Sequence, residues 1–184
     1  FEVLSIDITG PHPRSRDGNE YILTAVDIFS KWAEAMPVRQ HTAVIVAKKL
    51  VDNVFSKFGV PLRILSDQGP EFESALMAEL CRAHGIEKIR TTSYKASTNG
   101  TCERFHRTLN SMLAKVVSES QRDWDRHVNP VMAAYRATVH RSTGYTPNFL
   151  VLGRENRAPI DLVLAVGGDE PDGDPGAQRG GSRQ

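Results

Sequence analysis

The amino-acid sequence predicts a mixed α/β domain, in which helices pack on a sheet of five strands. The first indication is a series of three short apolar segments, 3–8, 21–26 and 33–38, which turn residues separate as in an antiparallel meander. The second is the alternation of helical and strand patterns that follows them. The third is the length, because 184 residues that are 40% hydrophobic suffice for one core and are too few for two comfortable domains.

The remaining elements follow from apolar periodicity and from Gly and Pro. Helices are predicted at 42–58, 70–84, 100–119 and 121–137, and strands at 62–66 and 86–90. Pro70 is interpreted as opening the second helix, which would place Glu71 and Glu73 in its first turn and Leu76 on its buried stripe. We expect a loop at 91–99, an interruption or kink at Pro130, and irregular structure after Gly144.

Charge and composition exclude some classes of protein. No apolar run approaches the roughly 18 residues that span a bilayer. Cys81 and Cys102 do not form a CxxC pair, so the sequence predicts neither a disulfide framework nor a zinc site. The sequence therefore favours a reducing compartment. The net charge is +1, but the Gly-rich segment 167–184 carries four acids and two bases, which leaves +3 on the rest. We therefore predict a mildly basic domain at 1–166 and a disordered acidic tail or linker at 167–184. The start at Phe1 suggests a piece of a longer protein.

Three carboxylates stand at positions that require an explanation. Asp7 interrupts an apolar strand, where a charge is costly unless it is paired or binds a cation, and Arg63 or Lys31 could be that partner. Asp67 follows a strand at the edge where α/β sheets bind ligands, although an acidic turn residue is common there. Glu103 falls in the first turn of the predicted helix that begins at Gly100, where the helix dipole alone would favour it.

Considered together, the three acids allow another interpretation. A site of carboxylates with no Cys or His offers hard oxygen donors, which suit Mg²⁺ or Mn²⁺ rather than Zn²⁺. Two such ions, about 3.5–4 Å apart, suit an in-line displacement at phosphorus. Spacing alone does not establish that these side chains meet in space.

Several stretches of the chain resemble a known family. They are 5–11, 21–32, 66–72, 98–109 and 142–147 together with 152–154. Residues 68–102, 35 in number, separate Asp67 from Glu103, which is similar to the D,D-35-E signature of that family. The chain, over about residues 1–165, resembles the catalytic core of retroviral and long-terminal-repeat retrotransposon integrases, most closely the gypsy type.

This resemblance implies a ribonuclease-H-like fold and a Mg²⁺-dependent polynucleotidyl transferase that trims a DNA end and joins it to target DNA. Asp7, Asp67 and Glu103 would be both the catalytic residues and the ligands of two Mg²⁺ or Mn²⁺ ions. The positions that match DNA contacts of the family are Tyr94, Lys95, Asn99, His106, Arg107 and Asn110. The implied partners are element-end and target DNA and further copies of the chain, with no membrane. The implied location is the nucleus, or a virus-like particle or pre-integration complex in the cytoplasm.

Departures from the family leave alternatives open. The zinc-binding N-terminal domain and the C-terminal DNA-binding domain of the family are not in this sequence, and Ala96 stands where the family usually has proline. Two competing functions stay open. The chain could be a ribonuclease-H-like nuclease, or a domesticated scaffold that binds DNA or protein without catalysis. Arg107 could pair with Glu103 instead of DNA, and the aromatic residues between Trp124 and Tyr135 could mediate dimerisation or belong to the core.

Overall fold

The computed structural model describes residues 1–90 and 96–157, and describes side chains in these ranges except at 96–101. Five strands lie at Val3–Thr9 (β1), Tyr21–Asp27 (β2), Ala33–Val38 (β3), Arg63–Ser66 (β4) and Glu87–Arg90 (β5). Six helices lie at Ala43–Leu50 (α1), Ser56–Phe58 (α2), Ala75–Ala83 (α3), Ala96–Leu113 (α4), Trp124–Arg136 (α5) and Pro147–Leu152 (α6) within those ranges. A π-helical turn, Val51–Phe55, joins α1 to α2.

The strands form one mixed sheet in the order β3-β2-β1-β4-β5. The first three strands pair antiparallel, as the turns between them predict, and β4 and β5 extend the sheet in parallel. The predicted five-stranded sheet with three antiparallel strands first is therefore confirmed. Because β1 is the central strand, the residues that it carries are placed by neighbours on both sides.

The two faces of the sheet are covered by different helices. On one face Leu4, Ile6 and Leu23 pack against α1, the π-helical turn and α3. On the other face Ile22 and Val26 pack against α4 and α5. This arrangement follows from the alternation of side chains along each strand. It directs Asp7, which lies between two residues of the first face, towards the layer that contains α4.

The helix predicted at 42–58 is confirmed as a continuous helical segment, with the π-helical turn in its middle. Val46, Leu50 and Val54 are fully buried along it, as their spacing of four predicts. Helix α5 runs through Pro130 without a break, so of the two predicted alternatives the interruption is wrong. A kink at Pro130 stays a prediction. Among the residues that the structure describes, no helix is long and apolar enough to cross a membrane.

Helix α3 begins five residues later than predicted. Ser74 is its N-cap and accepts a hydrogen bond from the backbone N–H of Met77 at 3.2 Å, whereas Pro70 lies in the turn before it. Glu73 therefore does not serve a helix dipole; its carboxylate pairs with Lys88 and Arg90. The later start also rotates the buried stripe, since Met77 is buried and Leu76 is 43% exposed.

The boundaries of the last helices also differ from the prediction. Helix α4 begins at Ala96 rather than at Gly100 and ends at Leu113. The segment after Gly144, predicted to be irregular, contains α6. Thr146 caps this helix by accepting a hydrogen bond from the N–H of Phe149 at 3.0 Å, and Pro147 occupies its first turn. Pro147 and Pro159 suggested an irregular chain after Gly144. Pro147 instead fits the helix, because proline is favoured at the first helical position.

The aromatic residues of α5 resolve one of the open alternatives. The indole N–H of Trp124 donates to the carbonyl of Pro13 at 2.7 Å, and the ring is buried. The hydroxyl of Tyr135 donates to the carbonyl of Lys31 at 3.1 Å, and its ring meets that of Phe105 edge-on. Both rings therefore belong to the intramolecular core between α4, α5 and the sheet.

Candidate active site

Asp7 is held in β1 by the backbone of its own strand. Its Oδ1 accepts a hydrogen bond from the N–H of Ile8 at 2.8 Å. Neither cation that the sequence offered as a partner reaches it. Strand pairing places Arg63 beside Val3, at the other end of β1. The Lys31 ammonium donates to a carbonyl of its own turn at 2.7 Å. That explanation for a carboxylate inside an apolar strand is therefore wrong.

The pKa of Asp7 shows how the local charges act on it. Burial raises this pKa from 3.8 to about 6, against the opposing effect of the hydrogen bond from Ile8. The negative charges of Asp67, Glu103 and Glu71 raise it further. The structure thus brings Asp7 into the electrostatic field of both other predicted catalytic acids. A carboxylate surrounded by carboxylates is costly to ionise, and that cost is offset when a cation binds.

The parallel pairing of β1 with β4 explains why the two aspartates are neighbours. Ser5 is paired with Leu65 in this register, and Asp7 and Asp67 each lie two residues beyond that pair. Asp67 itself follows the last residue of β4 and is exposed. Both carboxylates are therefore carried to the same end of adjacent strands, at the edge where α/β sheets place their ligand sites.

Gly69 leaves room for two carboxylates beside it. The Oδ1 atom of Asp67 accepts a hydrogen bond from the N–H of Gly69 at 3.0 Å. A Cβ atom at this position would stand 3.1 Å from Asp67 Oδ1 and 3.1 Å from Glu71 Oε1. Glu71 is half-buried, with His41 3.5 Å away, and does not lie in a helix. The prediction that Glu71 lies in the first turn of a helix and interacts with its dipole is therefore wrong. The sequence does contain a signal for its actual place beside Asp67, because Glu71 follows Asp67 by four residues in the same turn.

Glu103 lies on the exposed side of α4, well inside the helix. Because the helix begins at Ala96, Glu103 is not in the first turn and the helix dipole does not explain it. The preceding residue, Cys102, is buried, and its Sγ atom is 2.9 Å from the Oγ atom of Ser5. Burial raises the pKa of this thiol to about 12, so it stays neutral. This contact ties α4 to β1 directly beside the carboxylates.

His106 connects the same helix to Asp7. Its Nε2 atom is 2.8 Å from the Thr24 hydroxyl, which itself donates to the carbonyl of Asp7 at 3.1 Å. Nε2 must therefore be the donor, and the unprotonated Nδ1 faces Asp7 Oδ2 at 3.6 Å. Burial first, and the charge of His12 second, lower the pKa of His106 to about 4. The histidine is thus neutral at pH 7, and its contact with Asp7 is not an ion pair.

The other predicted DNA contacts on α4 face solvent. Arg107 and Asn110 are exposed. In the part of the chain that the structure describes, no carboxylate pairs with Arg107, so the alternative of a helical ion pair with Glu103 is not observed. Asn110 lines a cavity of about 460 Å³ together with His12 and Trp124. Both positions remain accessible to a ligand.

The remaining predicted contacts are described in part or not at all. Asn99 lies within α4, and its side chain is not described. Tyr94 and Lys95 lie outside the described residues, as do the predicted tail at 167–184 and the end of the predicted domain. The assignment of these three residues to DNA binding stays a prediction.

The carboxylates fit a hard cation by their chemistry. Within residues 1–90 and 96–157, no three His, Cys, Asp or Glu side chains stand close enough to hold one metal ion together. The oxygen atoms are instead engaged locally, Asp7 with its own strand and Asp67 with its own turn. The donors near Asp7 are nevertheless carboxylate oxygens with no thiolate among them, and carboxylate oxygens are the ligands that Mg²⁺ and Mn²⁺ prefer.

Comparison with known proteins identifies relatives over most of the chain. Residues 1–96 match the family model of the integrase core domain. The chain is 31% identical over 159 residues to the retrovirus-related Pol polyprotein from transposon 412 of Drosophila melanogaster, covering 86% of the chain and 13% of that protein. It is 39% identical over 160 residues to the Gag-Pol polyprotein of baboon endogenous virus, covering 86% of the chain and 9% of that protein. The chain thus spans only a small part of the length of these relatives.

The fold also matches a solved structure. The HTLV-2 integrase catalytic core domain, determined in complex with magnesium in a trimeric form, superposes with a TM-score of 0.63 at 20% sequence identity. The match covers 79% of this chain and 93% of that one. At this identity the likeness establishes the ribonuclease-H-like fold that the resemblance implied. Since the family model covers more than half of the residues, and relatives at least 30% identical match 86% of the chain, the chain belongs to the integrase core domain family.

Proposed function

We propose that this chain is a metal-dependent polynucleotidyl transferase that trims the 3′ end of a DNA element and joins it to target DNA. The observation that supports this most directly is the environment of Asp7 on the central strand, where burial first, and then the charges of Asp67 and Glu103, raise the pKa of its carboxyl group. Carboxylates gathered at the carboxyl end of parallel strands suit cation binding. In this proposal Asp7, Asp67 and Glu103 hold the ions, as the D,D-35-E spacing predicts.

The chemistry would be an in-line displacement at phosphorus, with water as the nucleophile in trimming and a DNA 3′-hydroxyl in joining. When bound, two Mg²⁺ or Mn²⁺ ions would lower the pKa of the attacking oxygen and neutralise charge on the leaving oxygen. No covalent enzyme intermediate is required, so one set of carboxylates can serve both steps.

The side chains around these acids would orient them. The N–H groups of Ile8 and Gly69 each hold one carboxylate oxygen, and the second oxygen of Asp7 and of Asp67 remains available. His106 is neutral and donates to Thr24, so it would position β1 against α4 and would not exchange protons with substrate. The Ser5–Cys102 contact fixes the distance between β1 and Glu103 in the same way.

The proposal is tested with branched DNA in which a 3′-hydroxyl strand can attack the junction. We expect the 184-residue chain with Mg²⁺ or Mn²⁺ to release one strand and join the other, which a denaturing gel resolves. EDTA should abolish both products. A substrate that ends in a 3′-dideoxynucleotide is the matched control. It lacks the nucleophile for joining and for the strand release coupled to it, so any strand that is still released comes from hydrolysis by water.

The outcome separates the competing functions. Cleavage without any joined product would support the alternative of a ribonuclease-H-like nuclease. Binding of the branched DNA with no cleavage and no joining in either metal would contradict catalysis and support a domesticated scaffold.

Arg107 is proposed to bind a DNA phosphate beside the acids, because it lies one helical turn beyond Glu103 and is not neutralised by a described carboxylate. Replacing Arg107 with methionine should weaken binding of duplex DNA several-fold, and should lower the slope of log K against log salt by about 1. Fluorescence anisotropy across a KCl series measures both quantities. Arg63→Met, an exposed position at the opposite end of the sheet, is the control; equal effects of the two changes would contradict a specific contact.

The proposal also includes a homo-oligomer that acts on element-end and target DNA in the nucleus, or within a virus-like particle or pre-integration complex. The HTLV-2 core, which this chain resembles in fold, was solved as a trimer. The family implies that the N-terminal zinc-binding and C-terminal DNA-binding domains accompany such a core in the parent protein.

A further inference from the structure

A second cluster of positive groups lies on the other flank of α4, away from Glu103. We propose that this cluster, the basic pocket, binds a phosphate group of the DNA backbone at a point separate from the carboxylates. The inference rests on the proposed function for the identity of its ligand. The residues that carry it are Lys31, Arg104, Thr108, Tyr135, His140 and Ser142, which line one cavity.

The cavity has the size of a single group rather than of a whole ligand. Its volume is about 250 Å³, with Val26 and Phe105 as apolar lining, whereas sites for whole small molecules start at roughly 300 Å³. It opens between α4, α5, the turn before β3 and the 140–144 segment. A phosphate that projects from a longer polymer suits such a small site, because the rest of the polymer can stay outside.

Within the described part of the chain, no ion pair neutralises the positive charge of the basic pocket. Neither Lys31 nor Arg104 makes an ion pair with a carboxylate there. The Lys31 ammonium uses one of its protons on the carbonyl of Ile28. A guanidinium and an ammonium with protons to spare are the two groups that proteins use to hold phosphate.

The backbone at Lys31 supports a role beyond packing. Lys31 has φ 63°, in the left-handed region that glycine and asparagine adopt more readily than lysine. Asn or Gly at this turn would therefore fold with less strain. The observed lysine places its ammonium over the cavity, and an outlier of this kind is a reason to look for a ligand.

The titration of the pocket residues agrees with this arrangement. Burial and then the charge of Arg104 lower the pKa of Lys31, with Asp27 opposing them. Burial, and then Lys31 and Arg104, lower the pKa of His140. The charges of Lys31 and Arg104 therefore act on each other and on His140 across the cavity, and an anion between them would be attracted by both charges.

The position on α4 favours DNA as the source of the phosphate. Arg104 follows Glu103 directly, so the two side chains are separated by about 100° of rotation and about 1.5 Å of rise. DNA carries a phosphate every 3.4 Å along each strand, and a helix with its side chains is about 10–12 Å wide. A strand whose one phosphate reaches the acids can thus present another phosphate to the opposite flank.

The first test asks whether the basic pocket takes a phosphate at all. We expect inorganic phosphate, titrated against KCl of equal ionic strength, to shift the backbone amide NMR signals of Lys31, Arg104, Thr108, His140 and Ser142. The shifts should be lost in the double variant Lys31→Asn, Arg104→Gln, in which Asn tolerates the positive φ. Absent shifts, or equal shifts in the variant, would overturn the proposal. A thermal melt of each variant establishes that the fold is retained.

The second test assigns the phosphate to DNA. We expect the double variant to bind duplex DNA about tenfold more weakly and to lower the salt slope by 1–2, since each phosphate contact contributes about 0.9. The control is Lys57→Gln, an exposed residue of α2 on the other face of the sheet. Phosphate shifts with unchanged DNA affinity would mean that the pocket serves a free anion and would overturn its assignment to DNA.

The branched-DNA assay keeps this inference distinct from the proposed function. If the wild-type chain joins DNA and the double variant joins it with the same KM and kcat, the basic pocket has no role and the proposed function stands. If the wild-type chain joins nothing while the affinity loss is observed, the proposed function falls and the pocket remains a DNA contact. A rise in KM that exceeds any fall in kcat is the expected result.

Discussion

Replacing Asp67 with asparagine is expected to reduce joining and cleavage of branched DNA by about three orders of magnitude, equivalent to ~4 kcal/mol of activation free energy. The amide has the shape of the carboxylate but not its charge, and neutral oxygen is a much poorer ligand for Mg²⁺ or Mn²⁺. Asp67 also acts on Asp7 through its charge. The substitution therefore removes one proposed ligand and weakens the field that would attract the ions.

The fold should not change in this variant. Asp67 is exposed, and the one hydrogen bond recorded for its side chain, from the N–H of Gly69, can be accepted by an asparagine Oδ1 as well. The measurements are the rate of branched-DNA turnover in Mg²⁺ and in Mn²⁺ and the midpoint of thermal unfolding. Asp52→Asn, which alters an exposed carboxylate paired with Lys48 in the helical segment on the far face, is the matched control. A stable Asp67→Asn chain with wild-type turnover would remove the proposed mechanism.

The sheet could be predicted because its strands are defined locally. The segments of β1, β2 and β3 are short apolar runs between clear turns, and each lies within a residue or two of its predicted position. Helix starts were harder, since they depend on the capping residue. Ser74 caps α3 and Thr146 caps α6. The prediction instead started α3 at Pro70 and α4 at Gly100, and both of these boundaries are wrong.

The arrangement of the site could be predicted only in outline. The resemblance identified Asp7, Asp67 and Glu103 as ligands, and this assignment stays a prediction. The parallel pairing of β1 with β4, which aligns the two aspartates, was not predicted from the sequence and is found only in the folded sheet. In contrast, the contacts of Ser5 with Cys102 and of Thr24 with His106 join residues 97 and 82 positions apart. No local spacing encodes such contacts, so their role as supports of the acids emerges only from the folded chain.

The basic pocket illustrates the same limit. The sequence suggested Lys31 only as a partner for Asp7 across the sheet. The turn conformation instead directs Lys31 to α4, where Arg104 and His140 meet it. A single charged residue in a sequence has many possible partners, and the backbone angle that selects among them depends on the fold.

Replacing Asp7 with asparagine should stabilise the metal-free protein at neutral pH although it removes a proposed ligand. The pKa of Asp7 is raised from 3.8 to about 6 on folding, so the folded chain holds this proton more tightly than the unfolded chain. The penalty for ionisation is absent below pH 3.8, grows as the pH rises towards 6, and is complete above it. At pH 7.5 we therefore expect Asp7→Asn to gain about 1–3 kcal/mol in free energy of unfolding, and at pH 3.8 almost nothing.

The geometry around Asp7 can accept the amide. The asparagine oxygen can keep the hydrogen bond from Ile8, and its NH₂ group would face the unprotonated Nδ1 of His106. Urea denaturation in EDTA at both pH values measures the difference. Asp123→Asn is a control with the opposite expected sign. Hydrogen bonds from Ser118 first, and then from His127, outweigh the effect of burial and hold the pKa of Asp123 below its usual value. Losing that carboxylate should therefore destabilise the chain at pH 7.5.

Magnesium should reverse the order of stability. If the proposed function is right, the ion binds the folded wild-type chain and should stabilise it by RT ln(1 + [Mg²⁺]/Kd), which reaches about 2.7 kcal/mol at a hundredfold excess over Kd. The Asp7→Asn chain, with one proposed ligand lost, should gain much less from the same addition. The carboxylate that weakens the fold would thus be the group that makes it responsive to the metal, a cost often accepted at functional sites. An Asp7→Asn chain that is less stable than wild type at pH 7.5 in EDTA, or that gains as much from Mg²⁺, would contradict this account of the acids.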